Sequence, residues 1–162
     1  MKKLISLVLA FAFVFVMTTG VFAAEPAGKT TDPGKAALRA EVKDLVNQLR
    51  SLNEERKSQH EQVQAKHEEL KELAAAAKEA GDTDKLEAAK EYKEELVQIG
   101  TEIKALIESR KEARLTVKAA KDDKDLEAVK AGLTQIIDYK KQIIEKVNTR
   151  LQLLDERIAA LQ

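Results

Sequence analysis

Cysteine is absent from the 162-residue sequence. No disulfide framework, thiol nucleophile or lipid-modified N-terminal cysteine is therefore possible, and stability must come from packing. Tryptophan is absent as well, and aromatic residues make up only 4% of the chain. All four phenylalanines (Phe11, Phe13, Phe15, Phe22) and both methionines fall in the first 23 residues, which leaves Tyr92 and Tyr139 for the rest. An interior without Phe or Trp is assembled from Leu, Ile, Val and Ala, which suits helix seams better than an α/β core. The two prolines, Pro26 and Pro33, lie close together, so no proline interrupts a helix beyond residue 33. Neither sign of charge is in excess: 28 Lys and Arg face 28 Asp and Glu.

The N-terminal segment has the pattern of an export signal. Lys2 and Lys3 are followed by an apolar run over residues 4–17 that only Ser6 interrupts, and then by Val21-Phe22-Ala23. A positive start, an apolar stretch and a small-x-small ending predict cleavage after Ala23. The run is too short for a stable membrane span. The expected mature chain, residues 24–162, carries 26 basic and 28 acidic residues, a net charge of −2. Such a balance argues against nucleic acid as a partner and against binding anionic membranes through a basic face. The expectation is a soluble secreted, periplasmic or cell-envelope protein that is not a lipoprotein.

Residues 24–34 hold both prolines and two glycines and read as a flexible arm. Asp32 before Pro33 is a suitable helix cap. Beyond it, Leu38, Val42, Leu45, Leu49, Leu52, Val63, Leu70, Leu73 and Ala77 follow a 4-3 spacing with charged flanks. That is the coiled-coil pattern, and it predicts a helix over 35–80. Gly81 ends it, and Asp82, Thr83 and Asp84 offer caps for a second helix over 84–120. A third helix over 124–161 follows a turn marked by Asp122, which is expected to cap it. Its doubled isoleucines widen the apolar stripe, which reads as a stutter. A weak repeat at an offset of 40 aligns Leu86-Glu87-Ala88-Ala89-Lys90 with Leu126-Glu127-Ala128-Val129-Lys130, and Asp82 with Asp122. The three lengths match when folded back at Gly81 and Asp122, with only 35–43 overhanging. The fold class is therefore all-α: an antiparallel up-down-up three-helix bundle of heptad-patterned helices.

Candidate chemistry is sparse. His60 and His67 are the two histidines. Seven residues apart, they share a helix face but lie about 10 Å apart along the axis. Both cannot reach one metal ion, so they are candidate ligands only in a site shared between chains. The acidic turns lack the glycine and terminal glutamate of a calcium loop. There is no Gly-rich phosphate loop, no nucleophile beside a histidine and no HExxH, so no catalytic residue and no cofactor is expected. The oddity is polar residues in the seam: Arg56, Gln59, Lys66 and Arg110. Counted from the first turn, Arg56 and Arg110 meet at nearly one level, with Thr134 or Gln135 nearby and Gln59 one turn away. The expected arrangement is a register-setting polar layer with its arginines reaching out to Glu55, Glu108 or Glu112.

Three functions are open at this point. The first is a non-enzymatic structural or protein-interaction module of the bacterial cell envelope or secretome, with a protein partner or self-association and no small-molecule substrate. The second is an ATP-independent extracytoplasmic chaperone. Leu133-Thr134-Gln135 resembles part of the Leu-Thr-x-x-Gln signature of Spy-like proteins, with Ile137 where that signature ends in glutamine; the general character resembles Skp-like holdases too. The third is an envelope metal-stress protein using His60 and His67 between chains.

Overall fold

A computed structural model describes residues 32–162. The expected signal segment, the cleavage point after Ala23 and nearly all of the arm lie outside the described residues. Three helices follow in order: α1 (Pro33–Ala80), α2 (Thr83–Asp122) and α3 (Leu126–Ala159). Among the described residues there are no strands, and no helix is long and apolar enough to cross a membrane.

Local chemistry sets each boundary. Asp32 caps α1, its Oδ1 accepting from Gly34 N at 3.0 Å. Pro33 and Gly34 therefore belong to the first turn of α1 and not to the arm. Gly81 ends α1 at φ +70°, and the bond from Asp82 N to Ala77 O at 2.9 Å closes the turn. A left-handed residue there lets the chain reverse while satisfying the last carbonyls. Asp82, not Asp84, caps α2, accepting from Lys85 N at 3.3 Å; Asp84 sits in the first helical turn. Asp125, not Asp122, caps α3, accepting from Ala128 N at 3.0 Å. Asp122 is the last residue of α2.

The two turns share one geometry. Lys124 occupies the second turn as Gly81 does the first, at φ 57°, and Asp125 N donates to Ala120 O at 2.9 Å. Asp82 thus corresponds to Asp125 in structure, so the sequence repeat that aligns Asp82 with Asp122 is out of step with the fold. A left-handed side-chain-bearing residue is disfavoured by Cβ contact with the backbone. Lys124→Gly is therefore expected to raise stability by about 0.5–1 kcal/mol, read as an upward shift in thermal midpoint.

Side-chain partners fix the topology. Between α1 and α3 they stay 83–89 residues apart, as parallel helices require. The Glu102–Lys146 ion pair at 2.6 Å and the approach of Gly132 to Val117 set α2 antiparallel to α3. The bundle is up-down-up. Val42 is only 2% exposed and packs with Val117, Ala120 and Val129, so it does not overhang. The start of α3 reaches back to its level, where Lys130 also pairs with Glu41.

Packing is unequal. α3 approaches both other helices closely along its length, whereas α1 and α2 approach each other at few places. Ile136, Ile137, Ile143 and Ile144 are all buried on α3. The doubled isoleucines are what a helix with two partners needs, since it must bury two seams. At Gly132 a Cβ would stand 2.4 Å from Val117 Cγ2, so glycine permits close approach of α2 and α3. Gly132→Ala is expected to cost about 1–2 kcal/mol despite alanine's higher helix propensity, because Val117 is stiff at χ1. Adding Val117→Ala should return part of that loss, as a shift in the urea midpoint without a change in slope.

Candidate functional site

The apolar core is discontinuous along α1. One cluster joins Val42, Leu49 and Leu52 to Ala113 and Val117 of α2 and to Leu133, Ile136 and Ile137 of α3. A second, near the first turn, joins Leu70 and Ala77 to Ala89, Leu154 and Ile158. Between them a third cluster is built from α2 and α3: Ile99, Ile103, Leu106 and Ile107 against Ile143, Val147 and Leu151. The described residues of α1 add only Val63 to it. From Leu52 to Leu70, α1 turns Arg56, Gln59 and Lys66 inward instead.

These polar groups tie α1 to α3. Gln59 is 5% exposed and donates through Nε2 to Ile144 O at 3.1 Å and to Asn148 Oδ1 at 2.8 Å. Its Oε1 accepts from Arg56 Nη1 at 3.3 Å. All of the amide's strong positions face protein partners, which is how a buried polar group avoids a desolvation loss. Lys66 pairs with Asp155, and Lys140, 8% exposed, donates to Asn53. Arg150 Nη2 lies 3.1 Å from His67 Nε2. Arginine has no acceptor, so that imidazole nitrogen accepts and His67 is neutral. Burial, with Arg150 and then Arg157 beside it, holds His67 below the usual histidine pKa, against a smaller opposite effect of Glu68.

The layer differs from the sequence expectation in one element. The residue of α3 at the level of Arg56 and Arg110 is Lys140, which bonds to Asn53, and not Thr134 or Gln135. Thr134 is exposed and bonds to Lys130 O at 3.0 Å. Nor do the arginines reach glutamates. Among the described residues Arg56, Arg110, Lys140 and Arg150 have no ion pair, and Glu108 is engaged by Lys111. Burial and then Arg110 and Arg150 lower the pKa of Arg56. Burial, then Arg110, Arg56 and Arg114, lower that of Lys140 to about 8. The Nε atoms of Arg110 and Arg150 are buried without a hydrogen-bond partner. Lys140 was visible in principle: Leu133, Ile137, Lys140, Ile144, Val147 and Leu151 run at 4-3 spacing, so it stands in the seam register.

The remaining candidates stay apart. His60 is exposed, and among the described residues no group of three His, Asp or Glu could hold a metal ion. His67 is engaged by Arg150 in surroundings that disfavour another cation. Surface depressions of about 320 Å³ and 250 Å³ lie near the first turn, against Leu86 and Arg157, and near the opposite end, against Glu41 and Lys130. Neither includes the polar layer. Comparison with family models, curated proteins and solved structures finds no match to this chain.

Proposed function

We propose that this chain is an exported, non-enzymatic helical bundle that serves as a structural or protein-interaction module of the bacterial cell envelope, with α1 as its moving element. The observation that carries the reading is the uneven attachment of α1. Its ends are held by apolar clusters, its central third by polar contacts. Polar contacts exchange for water at little net loss, about 0.5–1.5 kcal/mol each. The α2–α3 hairpin keeps its own aliphatic seam when α1 lifts. Lifting bares the neighbouring aliphatic side chains of α3, a surface suited to an amphipathic partner helix.

Arg56→Leu with Gln59→Leu should zip α1 down. The expected outcome is a more stable protein that captures its partner, or a second copy of itself, at least tenfold more weakly in a pull-down from envelope extract. A raised stability with undiminished capture ends the α1 reading, and absence of any partner or self-association ends the interaction reading. The same exposed aliphatic face supports a second reading, an ATP-independent chaperone. It requires suppression of aggregation of a denatured client at equimolar ratio, and failure to suppress removes it.

A further inference from the structure

We infer that Arg56, Arg110 and Lys140, one from each helix, form a binding site for a phosphate-type oxyanion in the break between the apolar clusters. The site forms with α1 seated and does not require α1 to move.

A polar layer that only sets register needs complementary partners. This one brings like charges together. Lys140 bonds to Asn53, one turn before Arg56, and Gln59 joins Arg56 to the carbonyl of Ile144, one turn after Lys140. The Val117–Gly132 and Glu102–Lys146 approaches put Arg110 at nearly the same level. Burial and then Arg110 lower the pKa values of both Arg56 and Lys140, which agrees with that placement, and Arg150 adds a further cation against Arg56. Among the described residues none of these four has a carboxylate partner. Neutral hydrogen bonds are what they have: Gln59 for Arg56, Asn53 for Lys140, His67 for Arg150. Partly desolvated like charges destabilise a fold unless a counter-charge arrives. The Arg110 Nε is buried without a hydrogen-bond partner, which adds to the cost of holding this guanidinium in place and leaves its terminal nitrogens to meet an anion.

The ligand class follows from the donors. Two guanidinium forks and one ammonium offer directional bonds to several oxygens at once, the arrangement that recognises phosphate. The cations converge from three helices at one level instead of running along one face. A compact multivalent anion fits that better than an extended acidic segment, which needs a stripe. A free phosphate or polyphosphate and a lipid phosphate headgroup share this chemistry.

The test titrates the full chain, at constant ionic strength, with tripolyphosphate and with phosphatidic acid vesicles, against phosphatidylcholine vesicles. Binding in either phosphate arm is expected, and the arm that binds identifies the source. A hundredfold excess over the dissociation constant should raise the thermal midpoint by roughly 5–10 °C. Lys140→Met and Arg110→Leu should each weaken binding at least tenfold while making the unliganded protein more stable, so failure to fold cannot mimic the result. The inference is overturned if neither phosphate arm binds, or if both variants respond as the parent does, since a general salting effect acts on all of them alike. Tighter binding of an oligoglutamate peptide than of tripolyphosphate overturns it too, in favour of an acidic protein partner.

Discussion

Lys140→Met is expected to raise the unfolding free energy by about 2–3 kcal/mol at pH 7. Lys140 is 8% exposed, and burial, with Arg110 and Arg56 beside it, lowers its pKa from 10.5 to about 8. Keeping it charged below that pH costs the fold about 1.4 kcal/mol for each unit of that lowering. Methionine matches the stem in length, packs between Ile137 and Ile144, and leaves Asn53 free to bond water, since Asn53 is exposed. The pH dependence has a definite sign. Below about pH 8 both folded and unfolded chains hold the proton, and the full penalty is present. Between about 8 and 10.5 the folded chain releases it first, so the unfolded state binds more protons and stability rises with pH. The advantage of Lys140→Met should therefore be constant below about pH 8 and shrink towards zero at 10.5. Urea titrations of both proteins across this range measure the difference directly. An equal or lower midpoint for the variant at pH 7 would show that the bond to Asn53 outweighs the repulsion.

That penalty bears on why the seam is interrupted at all. A chain rich in Leu and Ile had an easy alternative at residue 140, because Ile137 and Ile144 flank it in register. The cations of three helices meet there, and Gln59 beside them has its amide nitrogen satisfied by Ile144 O and Asn148. One half of the layer is thus fully bonded and the other half is strained by like charge. Satisfied networks specify register. Unsatisfied, repelling groups are better explained by a ligand or by motion, which is where stability is most often given up.

Much of the fold follows from local signals. Heptad spacing marks the three helices, and Asp32 and Gly81 announce a cap and a stop by chemistry that acts within a few residues. The errors lie where a choice depends on distant parts of the chain. Asp122, Asp123 and Asp125 are all chemically able to cap α3, and only the path of the turn through Lys124 selects Asp125. The wide stripe of α3 looks like a phase slip in one dimension, whereas in three dimensions it serves two neighbours. The half of the layer on α1 and α2 was readable because Arg56 and Arg110 interrupt long apolar series. Lys140 stands in the seam register too, but Ile136, Ile137, Ile143 and Ile144 on either side make the stripe look continuous and draw attention from it. That the arginines would meet a cation, and not a glutamate, depends on the rotation of each helix, which no spacing encodes.

Ile143→Ala and Val63→Ala should differ sharply in cost although both residues belong to one cluster. Ile143 is 0% exposed in the seam between α2 and α3. Truncation there removes apolar contact on all sides and leaves a cavity, an expected loss of about 3–4 kcal/mol. A domain of this size has a total stability of roughly 7–15 kcal/mol, so the variant should unfold at a much lower urea midpoint. Val63 is half-buried and stands as α1's lone apolar contribution to that cluster among the described residues. Its loss should cost about 1 kcal/mol, near the transfer value of the atoms removed. Amide exchange sharpens the contrast. Residues 53–67 should exchange through local opening of α1, at a lower free energy than the α3 amides around Ile143, which report global unfolding. Ile143→Ala should therefore lower protection in α3 by its full cost and leave the opening of α1 nearly unchanged, while Lys140→Met should raise protection in both. Equal costs for the two truncations, or equal protection in the centres of α1 and α3, would mean that α1 is packed as firmly as its neighbours and does not lift.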